Sequence, residues 1–155
     1  MSEFTIVSIG TVKNKRSAPL DDRWGDIVSE IELHEGFDRS SLEGIDAFSH
    51  LEIIFLFHLV QDSDIQDAAR HPRNNPQYPK VGIFAQRGKN RPNKLGATIV
   101  EFIKKEGNSL YVKGLDAVNG SPVVDIKPVM EEFLPDKDMV RQPCWATDLM
   151  KYYWE

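Results

Sequence analysis

At 155 residues the chain has the size of one domain and can bury a core without staples. Hydrophobic residues make up 41%, which excludes a disordered chain, and the single cysteine, Cys144, excludes an internal disulfide framework and a cysteine-based zinc site. The net charge of −5 argues against indiscriminate nucleic-acid binding but leaves room for a local basic patch.

In chain order, residues 4–12 are β-branched and roughly alternating, which predicts a strand. A polar loop with Lys13, Lys15, Arg16 and Arg23 follows and ends at Trp24-Gly25. Residues 27–33 alternate with period two and put Glu30 and Glu32 on one wet face. Ser40 or Ser41 is the expected N-cap of a short helix over SSLEGIDAF, with Glu43 near its first turn. Residues 50–60, HLEIIFLFHLV, form the most hydrophobic segment and predict a central strand buried on both faces.

Residues 81–86 and 96–103 predict further strands, and Gly107-Asn108 predicts the turn of a hairpin returning through 109–118. Another strand is expected over 123–126, closed by Lys127-Pro128. Short strands at this spacing point to a mainly β protein, a small closed or nearly closed β-barrel with one or two short helices. The barrel is expected over residues 1–130, with residues 131–155 an extension ending in a short helix packed on it. Repeated βαβ units, which a doubly wound nucleotide fold requires, are missing. The start MSEFTIVSIG has no basic leader, the apolar run over 53–60 is too short for a membrane helix, and the lone thiol suits a reducing cytoplasm.

Charge is distributed very unevenly. Residues 70–94 carry seven of the 19 basic residues (Arg70, Arg73, Lys80, Arg87, Lys89, Arg91, Lys94) and no acid, so the remainder holds 12 against 24. Four prolines, two glycines and the apolar run 81–85 interrupt the charges, as in structured loops around a strand. Guanidinium groups braced in this way can grip a carboxylate or phosphate through two parallel hydrogen bonds. Arg91-Pro92-Asn93 opens a rigid turn beside Arg87, lowering the entropy lost on binding.

No dinucleotide fingerprint, P-loop or G-x-S-x-G elbow is present. Gly82, Gly88 and Gly96 are isolated and fit turns or bulges. His50 and His58, eight apart on one strand face, would stand roughly 27 Å apart at 3.3 Å per residue, too far to share a metal ion. His58, at the end of the hydrophobic strand, is the histidine best placed to line a site. Asp116 is a plausible partner for a ribose hydroxyl. Asp125, between Val124 and Ile126, is either buried and paired, with Lys127 or an arginine, or turned to solvent.

Six strings occur in order: F-S-H-L at 48–51, F-x-F-H at 55–58, G-I-F-A-x-R at 82–87, R-P-N-K-L-G at 91–96, G-L-D at 114–116 and S-P-V-V-D-I-K-P at 121–128. Together they resemble the TsaA/TrmO-type S-adenosylmethionine-dependent tRNA methyltransferases across residues 4–130. The resemblance implies a β-barrel homodimer that methylates N6 of threonylcarbamoyladenosine next to the tRNA anticodon, in the cytoplasm and without a metal. Carried over by motif, S-adenosylmethionine contacts would come from Arg23, Trp24, His58, Leu59, Phe84, Ala85, Arg87, Leu95, Gly96, Lys113, Gly114, Leu115 and Asp116. Lys89, Arg91, Asn93 and Lys94 would meet tRNA, giving salt-sensitive binding, and Asp125 and Lys127 would orient the nucleophile. The chain departs from the family at Lys94, often Pro, and at Val129, often aromatic. It is also expected to lack the further C-terminal domain of many bacterial members.

Overall fold

A computed structural model describes residues 1–155. Its strands are β1 (Gly10–Lys13), β2 (Val28–Leu33), β3 (His50–Leu56), β4 (Ala69–Arg70), β5 (Val81–Gly82), β6 (Leu95–Glu106), β7 (Ser109–Lys113) and β8 (Pro122–Pro128). Six of them close an antiparallel barrel in the order β1-β2-β7-β6-β3-β8, and β4 and β5 form a separate two-stranded ribbon. One α-helix, α1 (Cys144–Leu149), and several 3₁₀ turns complete the chain, so the expected mainly β barrel is the fold. No helix is long and apolar enough to cross a membrane.

Alternation decides the inside of the barrel. Ser29, Ile31 and Leu33 of β2 point inward, while Glu30 and Glu32 face out, where Ser109 donates to Glu30 and Lys13 pairs with Glu32. Leu51, Ile53 and Phe55 of β3 meet Val100, Leu110, Val112 and Val123 in one cluster of 13 buried residues. Each such side chain contributes about 1.5–3 kcal/mol relative to exposure. Gly96 of β6 is buried because the Phe55 ring lies over it; a Cβ there would stand 2.5 Å from Phe55 Cζ.

Several expectations need correction. The first strand is Gly10–Lys13, not 4–12, because residue pairing with β2 and β8 begins at Gly10, preceded only by the backbone bonds of Ile9, and Phe4, Ile6 and Val7 are exposed. The third ends at Leu56, so His58 lies beyond it, and only its odd positions are fully buried; the face with Glu52 and Ile54 is half-open. The expected helix over 40–48 is two 3₁₀ turns (Arg39–Leu42 and Ile45–Ala47) split by Gly44 at φ +80°, and the cap is Asp38. Its carboxylate accepts from the Ser40 amide at 2.8 Å, which holds its pKa below the ordinary value. The strand expected over 81–86 stops at Gly82, where Ile83–Ala85 turn, because β4 offers only two residues to pair. The hairpin's return strand stops at Lys113, where Gly114 turns the chain at φ +84°.

The register places the long loops together. Lys13 pairs with Glu30, Val28 with Lys113, Leu56 with Leu95, and β8 begins at Pro122 beside Thr11. The C-terminal ends of β1, β3 and β7 and the N-terminal ends of β2, β6 and β8 therefore share one end of the barrel. Loops 14–27, 57–94 and 114–121 all leave from that end. The last of these must cross the opening, since β6 and β3 separate β7 from β8, and it seals the core with Leu115 and Ala117.

Candidate functional site

The loop end of the barrel carries nearly every residue expected to bind a ligand. Its backbone is also the most constrained. All five non-glycine residues at positive φ (Arg23, Arg73, Asn74, Asn93 and Lys94) lie in loops 14–27 and 57–94. Such conformations persist only where the surroundings over-determine them, and they gather at ligand clamps.

Loop 57–94 is built from its own hydrogen bonds. Gln86 donates to the carbonyls of Arg70 (3.0 Å) and Val81 (2.8 Å), tying β4 to β5, and Arg91 donates to the Gln86 carbonyl at 2.8 Å. The Phe57 amide reaches the Lys94 carbonyl at 2.8 Å, closing the loop's base. Of the seven cations, two meet carboxylates. Arg73 grips Asp22 through two bonds of 2.7 and 3.1 Å, and Lys94 holds Asp62 at 2.9 Å and the Val60 carbonyl at 3.3 Å. Burial lowers the Arg73 pKa, but the Asp22 hydrogen bond and charge outweigh it and leave the group raised.

The other five, Arg70, Lys80, Arg87, Lys89 and Arg91, have no carboxylate within 4.0 Å. Arg70 donates to Asn74 and Arg87 to the Ala97 carbonyl at 2.5 Å, neutral partners that orient the guanidinium without cancelling its charge. Phe84 stands 78% exposed between β5 and Arg87, and Leu59 is also open.

Asp116, on the loop across the barrel opening, is clamped from two sides. Thr98, from the inward face of β6, donates to Oδ1, and the Tyr153 phenol donates to Oδ2. Burial, then the charge and hydrogen bond of Asp116, push the Tyr153 pKa up, so it stays a donor. Tyr153 belongs to segment 150–155, whose backbone is also tied down: the Arg23 amide donates to the Tyr152 carbonyl at 3.0 Å and the Trp24 amide to the Tyr153 carbonyl at 2.8 Å. Asp148 of α1 accepts from Tyr78 at 2.7 Å, joining the same segment to loop 57–94.

Other expected residues have structural positions. Trp24 is 3% exposed, with its indole N–H on the Leu20 carbonyl at 3.1 Å and the Arg16 guanidinium 4.2 Å over its ring. It supports the Arg23 backbone rather than offering a free face. Leu115 is fully buried, and Gly114 donates its amide to the Ile27 carbonyl. Lys113 pairs with Asp26 at 2.9 Å, which raises its pKa. Leu95 starts β6, and Ala85 and Asn93 are exposed in the loops. His58 carries a buried Nδ1 without a hydrogen-bond partner, close to Gly120 on the crossing loop.

Asp125 and Lys127 stand apart from this group. They occupy the outer face of β8, so Asp125 is turned to solvent with its side chain 42% exposed, and it pairs there with Lys127 rather than in the core. They lie three and five residues down the strand from Pro122, roughly 10 and 16 Å from the loop end. No three His, Cys, Asp or Glu side chains converge as metal ligands.

Sequence reading overlooked Thr98, Tyr153, Arg16 and Asp22. A threonine inside an apolar strand signals a buried hydroxyl in need of a partner, but nothing in the terminal WATDLMKYYWE marks Tyr153 for a carboxylate 37 residues away.

Known proteins share this fold and part of this sequence. Residues 9–134 match the family described as the tRNA-methyltransferase O N-terminal domain. The human tRNA (adenine(37)-N6)-methyltransferase is 39% identical over 93 residues, 60% of this chain but 21% of its own length. The Escherichia coli K12 protein of the same name is 34% identical over 148 residues, covering 88% of this chain and 63% of its own. A Methanothermobacter thermautotrophicus protein named probable S-adenosyl-L-methionine-binding protein is 34% identical over 134 residues, 84% of this chain and 93% of its own. This chain thus spans about a fifth of the human protein and under two thirds of the bacterial one. The crystal structure of TrmO from Pseudomonas aeruginosa superposes with a TM-score of 0.72 at 26% identity, covering 90% of this chain and 61% of that one.

Proposed function

Because the chain belongs to the tRNA-methyltransferase O N-terminal-domain family, we propose that it is an S-adenosylmethionine-dependent enzyme that methylates N6 of threonylcarbamoyladenosine beside the tRNA anticodon. One observation carries the reading. Loop 57–94 carries five cations without carboxylate partners at the same end of the barrel as Asp116, whose two oxygens already accept hydrogen bonds from hydroxyls. A ligand that bears both a carboxylate and a diol matches that combination.

The cofactor, when bound, supplies a methyl group on a cationic sulfur. Arg87, aimed by its bond to the Ala97 carbonyl, holds the ligand carboxylate, and Asp116 takes the ribose hydroxyls on its remaining lone pairs. Phe84, Ala85, Leu59 and Leu95 give apolar contact for the base, with His58 at its edge and Gly96, Lys113, Gly114 and Leu115 forming the floor. Arg23 and Trp24 carry the loop that closes the side, braced by Arg16.

Holding the modified adenosine in line is the main task, because acylation at N6 already makes its proton more acidic, so catalysis works largely by positioning. Lys89, Arg91, Asn93 and Lys94 face the tRNA backbone. For Asp125 and Lys127 to orient the nucleophile, the modified base would have to reach roughly 10 to 16 Å down the outer barrel wall from the loops. The setting is cytoplasmic and the assembly a homodimer, which sedimentation measurements check.

The test is methyl transfer to tRNA that carries or lacks the threonylcarbamoyl group, read by mass spectrometry of nucleosides, alongside calorimetry with S-adenosylmethionine. Transfer only to the modified tRNA supports the reading. Binding without transfer to either tRNA favours a second one, a non-catalytic cofactor- or RNA-binding module, which accords with the name of the archaeal relative of similar length. Absence of cofactor binding removes the methyltransferase reading.

A further inference from the structure

Segment 150–155 lies beyond the residues that match the family, yet it reaches into the middle of the loop end. It is fastened there by two backbone hydrogen bonds to Arg23 and Trp24, and the Trp154 backbone packs directly on Gly25. Its Tyr153 side chain is half-buried and bonded to Asp116, while the neighbouring Tyr152 and Trp154 are 48% and 49% exposed. A segment that needed only apolar anchorage would bury Trp154 instead of sending a phenol to a carboxylate.

Asp116 sits on a connection without regular secondary structure, so its carboxylate plane depends on partners outside the backbone. Thr98 fixes one oxygen from the barrel wall, and Tyr153 fixes the other from the opposite side. An ionised carboxylate has about four lone-pair sites, so two remain to accept protons from a ligand. We infer that Tyr153, with Thr98, is a positioning residue that presents the Asp116 carboxylate to the vicinal hydroxyls of a nucleoside ligand. The inference rests on the reading of this end as a nucleoside-cofactor site. It adds that strap 150–155 is part of that site. Because Tyr153 remains protonated far into the alkaline range, it serves as a fixed donor throughout the working range of pH.

Calorimetry with S-adenosylhomocysteine and with its 2′,3′-dideoxy counterpart tests this on the full chain. Tyr153→Phe is expected to weaken the first ligand roughly five- to tenfold, the effect of one oriented hydrogen bond, and to leave the second unchanged. In turnover the same variant raises KM for S-adenosylmethionine with kcat preserved. Thr98→Val reproduces the ligand selectivity and Thr98→Ser restores binding, which keeps the test informative if one variant melts early. Equal weakening of both ligands would make Tyr153 a merely structural prop and overturn the inference. Tighter binding of S-adenosylhomocysteine by Tyr153→Phe would overturn it too, because the phenol would then be a competitor. If the wild-type chain binds neither ligand, the cofactor reading itself fails and the inference falls with it. That result differs from a wild type that binds while Tyr153→Phe behaves identically, which refutes only the role of Tyr153.

Discussion

Gly25→Ala should unfasten strap 150–155 and leave the barrel standing. Gly25 lacks the positive φ that would demand glycine, so the obstacle to a side chain is local. A Cβ there falls well inside van der Waals contact of the Trp154 carbonyl oxygen and 2.9 Å from its carbon, and both are backbone atoms that no rotamer change can move. Relief requires the strap to lift, breaking the bonds of 3.0 and 2.8 Å from the Arg23 and Trp24 amides to the carbonyls of Tyr152 and Tyr153. At a net 0.5–1.5 kcal/mol each, the docked state loses about 1–3 kcal/mol. Hydrogen exchange at the Arg23 and Trp24 amides should accelerate by about 5- to 150-fold, since roughly 1.4 kcal/mol is a factor of ten. Amides of the barrel, such as those of Ile53 and Val100, should keep their protection. Unchanged exchange at Arg23 and Trp24 would refute the clash. Equal acceleration in the barrel would show that strap and barrel unfold as one unit.

Gly96→Ala should overpack the Phe55 ring at a cost of about 1–3 kcal/mol, lowering the melting temperature by several degrees in calorimetry; a melt like wild type would mean that the ring slides aside. Arg87→Ala should abolish measurable S-adenosylhomocysteine binding while circular dichroism keeps the barrel signature, because Arg87 is exposed and makes one hydrogen bond. Lys89→Ala should weaken RNA association and flatten its salt dependence, whereas Lys94→Ala should also loosen loop 57–94, since Lys94 is tied to Asp62 and Val60; filter binding over a salt series and thermal melts separate the two. For pH, the raised pKa of Tyr153 favours the protonated phenol in the folded state. Its contribution is complete below the unfolded phenol value of about 10 and falls as pH rises above it. Denaturant titrations above that pH should show a steeper alkaline loss in wild type than in Tyr153→Phe.

The sequence carried the barrel but not its seams. Alternation in β2 and the hydrophobic density of β3 were legible because side chains there take sides of one sheet, a local property. Strand ends were not, because partners set them: residues 4–9 look like the strand they precede, yet β2 and β8 give them little to pair with. Residues 83–86 fail for the same reason beside two-residue β4. At the site, the acid-free stretch 70–94 was visible as composition, and its partition into paired and unpaired cations was not, since Asp22 and Asp62 come from other segments. Gly96 read as a turn or bulge is in fact a seat for an aromatic ring. Asp125 and Lys127 drew attention by chemistry, and only the register revealed how far they stand from the loops.

The junction of β1 with β8 rests on two residue pairs, Gly10 with Val123 and Thr11 with Pro122, reinforced by the amides of Ile9 and Val12. Until Pro128 leaves the ribosome, nothing can occupy the outer edge of either β1 or β3, because β8 is the shared neighbour of both. A nascent chain halted after the β6–β7 hairpin therefore displays two raw edges with apolar inner surfaces, the form that invites association between unfinished copies. Ring closure waits for β8, and it joins the eleventh residue of the chain to the hundred-and-twenty-second.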